Sequence, residues 1–435
     1  MADLPWNTEA DQQLVKKAKE FTDEEGHIDW DRVSKDFPAR TGKACESRWY
    51  KLEHSLTVPS INRDPTFQDL FDELRDNPRT LEEISNEFDR SPRYIQEKLE
   101  EMESKGYNLI ISGGSFAVQT STLPQAPPPP ISIADLVNTK NFCIAIASDW
   151  HVGSQHSQPT RLNEFLKLAT EEYGAKHVFI AGDVTDGAYV YGQKHIDNLI
   201  PHVRPLNRNR VWQTAEAEVF LANTYAPRIE GVEYFVMGGN HDRSIITNSG
   251  KDPIRILCES RDDFHYGGYD VWSIHLTDKS YIRLVHPSGG VAYARSYKLQ
   301  KAIESLAFEA LREAMADELP PMTSLLIMGH YHLSNHTPEP PLHGILAACF
   351  QGQTDYLKAK NLTPHIGGII IELQFEKYGK LSSVFHKPIL VTEIEDDWKN
   401  WPVPNIEDPN LKSDNLDLIF SFTGDEPKPP SPAGA

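Results

Sequence analysis

Five short apolar runs, each ending in a cluster of polar side chains, constrain this chain more than any other feature. FCIAIAS, HVFIAG, EYFVMGG and SLLIMG lead into Asp149-Trp150-His151, Gly182-Asp183-Val184-Thr185-Asp186, Gly239-Asn240-His241-Asp242 and Gly329-His330-Tyr331-His332, and a fifth run closes on His286 within VHPSGG. Short runs of this kind read as strands, and the stretches TRLNEFLKLATEEY and SYKLQKAIESLAFEALREAM, with apolar residues at helical spacing, read as helices. Strands alternating with helices predict an α/β domain, in which chemistry sits in loops beyond the strand ends.

The clusters mix carboxylates, imidazoles and one amide. A pair of divalent metals asks for this mixture: carboxylates to offset positive charge, neutral imidazoles for borderline metals, and an amide oxygen that binds without adding charge. In Asp149-x-His151 and His330-x-His332 a tight loop can aim two ligands around one centre, and the glycines before three of the clusters allow close turns.

Together these residues resemble the signature DxH, GDxxD, GNHD, H and GHxH of the calcineurin-like metallophosphoesterase superfamily, complete and in order from about Asn141 to Lys387. The resemblance implies a four-layer αββα sandwich with metals at loops above two central sheets. It implies Asp149, His151 and His332 on one metal, Asn240, His286 and His330 on the other, and Asp183 bridging them. Manganese is the first expectation for both divalent ions, with iron, zinc, cobalt and nickel open, because donor types narrow a metal without naming it. Two metals about 3.5–4 Å apart activate a shared water and stabilise charge during in-line displacement at phosphorus.

His241 is implied to face the leaving oxygen as general acid or charge stabiliser. Asp186 is implied to orient that imidazole, the alternative being a helix cap; for Asp242 the reading is a supporting hydrogen bond or cap. Arg243 is expected to reach a phosphate or to form a surface ion pair, and Arg295, on the helix after Gly289-Gly290, to contact substrate or solvent. The stretch from Gly187 to Arg228, with Arg204, Arg208 and Arg210, is a candidate substrate lid.

Proline marks the divisions. QTSTLPQAPPPPIS favours a stiff polyproline linker that tethers two functions, and acidic, proline-rich sequence runs to the end after Pro388. The expected domains are therefore residues 1–58, 64–118, a linker at 119–135, the catalytic domain at 136–388 and a tail at 389–435. The first, with Trp6, Trp30 and Trp49, resembles a Myb/SANT domain, whose third helix would bring Arg40, Lys43, Arg48 and Lys51 to nucleic acid. The second resembles a winged helix with Ser91–Glu103 in the recognition position. Residues 1–120 nevertheless carry 16 basic against 25 acidic side chains, so DNA contact rests on local patches and protein binding stays open. In the tail, Asn415-Leu416-Asp417-Leu418-Ile419-Phe420 resembles a sliding-clamp peptide, the alternative being a strand packed on the catalytic domain.

The whole chain of 435 residues carries a net charge of −20, which opposes nonspecific attraction to polyanions. Four scattered cysteines without a CxxC pair speak against a disulfide frame or zinc knuckle. No apolar run approaches the roughly 20 residues that span a bilayer, and MADLPWNTEADQQ has no basic stretch followed by an apolar one. A cytosolic protein is expected, in a bacterium or a phage-infected host. The leading functional expectation is a metal-dependent phosphodiesterase acting on DNA, a nuclease positioned by DNA-binding modules. The alternatives are a phosphatase or cyclic-nucleotide phosphodiesterase recruited through protein-binding modules, and a non-catalytic DNA-bound scaffold.

Overall fold

The computed structural model describes residues 13–14, 16–18, 20–21, 28–37, 40–46, 48–49, 64–75, 78–118, 141–205, 211–277, 280–290, 294–314, 322–376 and 381–402. The chain falls into two units, Met1–Asp64 with Ser85–Arg90, and Pro65–Ile84 with Ser91–Ala435. In the first, Leu14, Val33, Phe37 and Cys45 are buried, with Phe21, Ile28, Trp30 and Trp49 packed around them. The rings of Trp30 and Trp49 lie 6.1 Å apart. The aromatic core expected there thus contains two of its three tryptophans around a small aliphatic centre; Trp6 lies outside the described residues.

The second unit begins with a small module: α1 (Phe67–Arg75), β1 (Arg79–Thr80), α2 (Leu81–Phe88, of which Ser85–Phe88 fall in the first unit), α3 (Pro92–Ser104), β2 (Leu109–Ser112) and β3 (Ser115–Val118). Its sheet has the order β1-β3-β2 and is antiparallel throughout. Ser91 starts α3 by accepting the Tyr94 N–H through its hydroxyl, and Pro92 occupies the first turn, where its missing N–H costs nothing. Phe67, Leu70, Phe71, Leu74, Ile95, Leu99 and Met102 are buried at helical spacing along α1 and α3.

The α/β domain follows. A six-stranded sheet, order β14-β13-β4-β5-β6-β7, uses β4 (Asn141–Ile146), β5 (His177–Ala181), β6 (Glu233–Gly238), β7 (Phe264–Tyr269), β13 (Gly367–Phe375) and β14 (Leu381–Leu390). A five-stranded sheet, order β11-β12-β10-β9-β8, uses β8 (Val271–Thr277), β9 (Ser280–Val285), β10 (Met322–Met328), β11 (Asn335–Glu339) and β12 (Leu342–Leu346). The sheets pack face to face through Ile144, Phe179, Phe235, Trp272, Leu284 and Ile327 among others. Outside the larger sheet lie α4 (Pro159–Lys167), α5 (Val211–Tyr225), α6 (Asn240–Ser249) and α7 (Pro253–Glu259), and outside the smaller one α8 (Tyr297–Ala314). This is the expected four-layer αββα arrangement. Strand β5 is buried at every residue because it is covered on both faces, as parallel central strands are, while edge strand β8 alternates.

Two expected boundaries shift. The division at 388 falls inside β14, and the chain beyond it still packs: the Asp397 carboxylate accepts from the Thr160 N–H and hydroxyl at 2.8 and 2.6 Å, and Trp398 and Trp401 join the helix-facing core. The described fold therefore continues to Pro402. The segment at Asn415–Phe420 and the linker at 119–135 lie outside the described residues. Within the second unit, the segment after α3, expected to be tethered, docks on the α/β domain. Asn108 N–H donates to the Gly250 carbonyl at 3.1 Å, Asp252 N–H donates to Gly106 at 3.3 Å, and the Lys251 ammonium sits 4.9 Å over the Tyr107 ring.

Candidate metal centre

Parallel register brings the five strand ends to one edge. Ile146 pairs with Phe179, Ala181 with Met237, and Met328 with Val285, so the chain leaves β4, β5, β6, β9 and β10 side by side. The loops then turn sharply. Asp149, His151, Asp183, His330 and His332 all adopt left-handed backbone, with φ of 53°, 46°, 50°, 79° and 55°. Each such residue costs on the order of 1–3 kcal/mol, and strain of this kind concentrates where side chains must converge. Glycine makes the convergence sterically possible: a Cβ on Gly182 would sit 2.1 Å from His286 Nδ1, and one on Gly239 2.2 Å from Asp183 Oδ1.

The seven expected donors come together. The donor atoms of Asp149, His151 and His332 lie within 4.8 Å of one another, as do those of Asp183, His286 and His330. Asn240 Oδ1 joins the second group, 3.1 Å from His286 Nε2.

Lone pairs face lone pairs across the site. The His286 ring donates through Nδ1–H to the Ala181 carbonyl at 2.6 Å, which turns Nε2 toward Asn240 Oδ1 and toward Asp183 Oδ2 at 3.2 Å. His151 donates through Nδ1–H to Asp186 Oδ1 at 2.9 Å, leaving its Nε2 3.0 Å from His332 Nε2. Asp149 Oδ2 and His332 Nδ1 are buried with no hydrogen-bond partner. Acceptors aimed at one another at such distances repel unless a cation or proton lies between them.

The electrostatics agree. Burial pushes the Asp149 carboxyl up to about 7, with Asp183 adding, and burial drives His332 well below the usual imidazole range. Burial opposes the charge on His286, but Asp183 and Asp149 outweigh it and hold that ring at about 9. Burial likewise opposes Asp183, yet His286 and His241 hold it well below the carboxylate range. The cluster thus offers an oxygen and nitrogen donor set that fits two divalent cations, with second contacts fixing the tautomers of His151, His286 and His330.

His241 opens α6. Its ring Nδ1–H donates to the Asp186 carbonyl at 2.7 Å, so Nε2 is available to the cavity, and burial lowers the imidazole to about 4. Asp186 holds this ring through its main chain, not through its carboxylate as the resemblance implies. The carboxylate serves His151, lies 3.1 Å from His195 Nε2 and accepts from Gln351 Nε2 at 3.2 Å. Asp242 is a cap and cross-tie: it accepts from the Gly239 N–H, the Thr185 N–H and the Thr185 hydroxyl, each at 2.7 Å.

His195, Gln351 and Tyr191 line the site cavity although no motif marks them, because a short helical turn at Gln193–Ile196 and two irregular segments bring them there through tertiary packing. Arg243 is paired with Asp270 at 2.7 Å and rests over the Tyr269 ring, so its ion-pair reading is the one the geometry realises. Arg295 is exposed and is not among the residues lining the site cavity. Of the lid candidate at Gly187–Arg228, Val190, Tyr191, His195 and Asn198 line the site cavity, while α5 is buried almost throughout and Arg204 is tied to the Leu199 and Asp197 carbonyls at 2.9 and 2.7 Å. Arg208 and Arg210 lie outside the described residues. In the first unit Lys43 is exposed, Arg40 and Arg48 are half-buried, and Lys51 lies outside the described residues.

Residues 143–354 match the calcineurin-like phosphoesterase family, and residues 3–53 match the Myb-like DNA-binding domain. The chain carries a calcineurin-like phosphoesterase domain and a Myb-like DNA-binding domain. Among individual proteins, it is 22% identical over 269 residues to the DNA polymerase II small subunit of Methanothermobacter thermautotrophicus, covering 53% of this chain and 52% of that one. The chain thus spans about half the length of this curated relative. Similar solved structures include an archaeal phosphodiesterase, 13% identical over 57% of this chain and all of that one with a TM-score of 0.28. A putative 5'-nucleotidase from Staphylococcus aureus is 13% identical over 60% of this chain and 57% of that one, with a TM-score of 0.31. Among the described residues, no helix is long and apolar enough to cross a membrane.

Proposed function

We propose that the chain is a phosphodiesterase dependent on two divalent metals, manganese first, that cleaves DNA in a bacterial or phage-infected cytosol. The observation that carries this reading is the convergence of seven oxygen and nitrogen donors, with Asp149 Oδ2 and His332 Nδ1 left without a partner, beneath an imidazole whose Nε2 is left for substrate. Bound there, the two cations would activate a water and hold phosphate oxygens during in-line displacement. Asp149, His151 and His332 would hold one, Asn240, His286 and His330 the other, and Asp183 both. Water oxygen bonds to phosphorus, the bond from phosphorus to the leaving oxygen breaks, and that oxygen takes a proton.

His241 is placed for that proton. Neutral in the buried site, the ring gains a proton as the phosphate anion arrives, since an adjacent opposite charge favours imidazolium. Asp186 fixes the ring through its carbonyl. The amide end of α6 adds positive potential near the same phosphate.

The Myb-like domain supports DNA as the substrate, with Arg40, Lys43, Arg48 and Lys51 as its phosphate contacts and the 64–118 module, read as winged-helix-like, as a second contact. A polymerase subunit as relative favours a DNA setting and supports a scaffold as the second reading, but the complete donor set weighs against a scaffold, which needs neither metals nor His241.

The test is manganese-dependent cleavage of end-labelled single-stranded and hairpin DNA beside a generic aryl phosphodiester, with wild type, H241A and D183A. DNA cleavage abolished by both substitutions is the expected result. Cleavage of the aryl diester alone would retain the phosphoesterase and remove DNA as its substrate. Cleavage of neither would favour the scaffold.

A further inference from the structure

The walls of the site cavity say more about substrate than its floor does. The cavity holds about 440 Å³, and among the described residues that line it none is lysine or arginine. Its walls are neutral and largely apolar or aromatic, including Val190, Tyr191, Tyr356, Leu357 and Leu362. Among the described lining residues, a substrate with several phosphates would meet no cationic side chain for those not held by metals.

At the mouth stand two tyrosines from distant parts of the chain. Their rings are nearly parallel, 11° between planes with centroids 5.7 Å apart, and both are unusually open for aromatic residues, 58% exposed for Tyr191 and 52% for Tyr356. On its inner side Tyr191 meets His241 at 5.7 Å and His195 at 6.0 Å, in steep crossings of 72° and 90°. The result is an aromatic column rising from the leaving-oxygen imidazole to solvent and ending on the uncovered ring of Tyr356. Thr354 holds the outer member by capping the short helix α9 (Asp355–Ala359), accepting the Leu357 N–H through its hydroxyl at 3.2 Å.

We infer that this column is a stacking shelf for one unpaired nucleobase, that of the nucleoside carried by the leaving oxygen. The inference rests on the phosphodiesterase reading above and narrows its substrate to single-stranded or frayed DNA. Three features carry it: two stacked rings each more than half exposed, described cavity walls that are uncharged, and contact between the column and His241. Stacking on tyrosine tolerates any base, since every base has a π-face, and needs that base released from a duplex partner.

Two measurements on the full-length, manganese-loaded chain test the shelf. The first is the ratio of kcat/KM for single-stranded oligonucleotides with and without a base on the leaving-side nucleotide. In wild type the base-bearing strand is expected to be favoured roughly 5- to 100-fold, through KM, the range of one base–aromatic stack. In Y356A the ratio collapses toward one, and in Y356F and Y356W it returns. The second is equilibrium binding of deoxynucleoside 5'-monophosphate against deoxyribose 5-phosphate, where the wild-type preference for the base should vanish in Y356A.

Cleavage of DNA with no dependence on the base in wild type, or a ratio unmoved by Y356A, overturns the shelf and leaves the nuclease reading intact. A base preference in binding without cleavage of any oligonucleotide keeps the shelf and overturns the nuclease reading. Equal binding of the two monophosphates by wild type overturns the shelf whatever is cleaved.

Discussion

The two ends of helix α6 both bury charge, and they treat it in opposite ways. At the N-terminal end, Asn240 and His241 enter a cluster in which oxygen and nitrogen lone pairs confront one another and Asp149 Oδ2 has no partner. At the C-terminal end, the fully buried Lys251 pairs with Glu216 of α5 and lies over the Tyr107 ring. Asp252 accepts from the Tyr266 and Tyr269 hydroxyls at 2.7 and 2.8 Å and from the Ile254 and Arg255 N–H groups at 3.1 Å. Burial is equal and satisfaction is not. One end is complete within the chain and holds the segment around Tyr107; the other leaves donor atoms facing one another, the arrangement of a candidate cation site. A single ten-residue helix thus joins the docked segment to the leaving-oxygen imidazole.

The largest effects should fall on the unsatisfied end. In D183N, activity is expected to drop at least about 1000-fold, the several kcal/mol that a bridged cation pair contributes at phosphorus. Manganese should raise the Tm of wild type by mass action, and this rise should vanish in D183N. A variant that keeps both the manganese-induced rise and the activity would show that Asp183 is not the shared donor.

The satisfied end should respond in stability alone. Removing one partner of a buried pair strands the other charge in a low dielectric. K251M is therefore expected to lower unfolding free energy by about 3–5 kcal/mol in chemical denaturation, with the rate per folded molecule and the manganese affinity unchanged. Loss of rate without loss of stability would erase the distinction between the two ends.

The difference also explains what could be read from sequence. Asp149, His151, Asp183, Asn240, His286, His330 and His332 are legible because metal chemistry restricts the residue type at each position and because apolar strands precede them. The left-handed backbone at five of these donors is not legible, since nothing local in Asp-Trp-His or Gly-His-Tyr-His prefers it; the surrounding packing imposes it. His195 and Gln351 escape for a related reason. Each reaches Asp186 from a segment with no motif, so only the folded chain shows that the Asp186 carboxylate serves neighbours other than His241. Lys251 and Glu216 look like ordinary surface charges in sequence, and only the folded chain shows them buried as a pair. The same holds beyond β14, where acidic composition conceals Trp398 and Trp401, two aromatics in the core.

A buried imidazole remote from both ends calibrates what burial alone does. His177, at the start of β5, lies between the Phe142 and Phe235 rings at 5.1 and 5.8 Å, and burial lowers it to about 4. The unfolded chain takes up a proton near pH 6.5 that the folded chain refuses until about pH 4. Stability from this group is therefore full above about 6.5, falls as pH drops through the window, and levels below about 4, a loss on the order of 3 kcal/mol. H177F should flatten that part of the stability profile, with or without manganese. An unchanged slope would mean that the acid sensitivity comes from the metal-end imidazoles instead.

The smallest expected effect separates two roles for one residue. Asp186 holds His241 through its carbonyl and His151 through its carboxylate, so D186N keeps the first contact and weakens the second. An amide accepts from His151 Nδ1–H less strongly than a carboxylate and leaves the ring a poorer donor at Nε2. Metal affinity should therefore fall about 10- to 100-fold, as it does when the partner of a ligating histidine is lost, and saturating manganese should restore most of the rate. If D186N instead lowers kcat at saturating metal with affinity unchanged, the carboxylate acts on His241, as the sequence resemblance implies, and the 3.6 Å separation between His241 Nδ1 and Asp186 Oδ1 shortens when substrate binds. The two outcomes assign the Asp186 carboxylate either to the metals or to the leaving oxygen, and titrating manganese against rate in one variant distinguishes them.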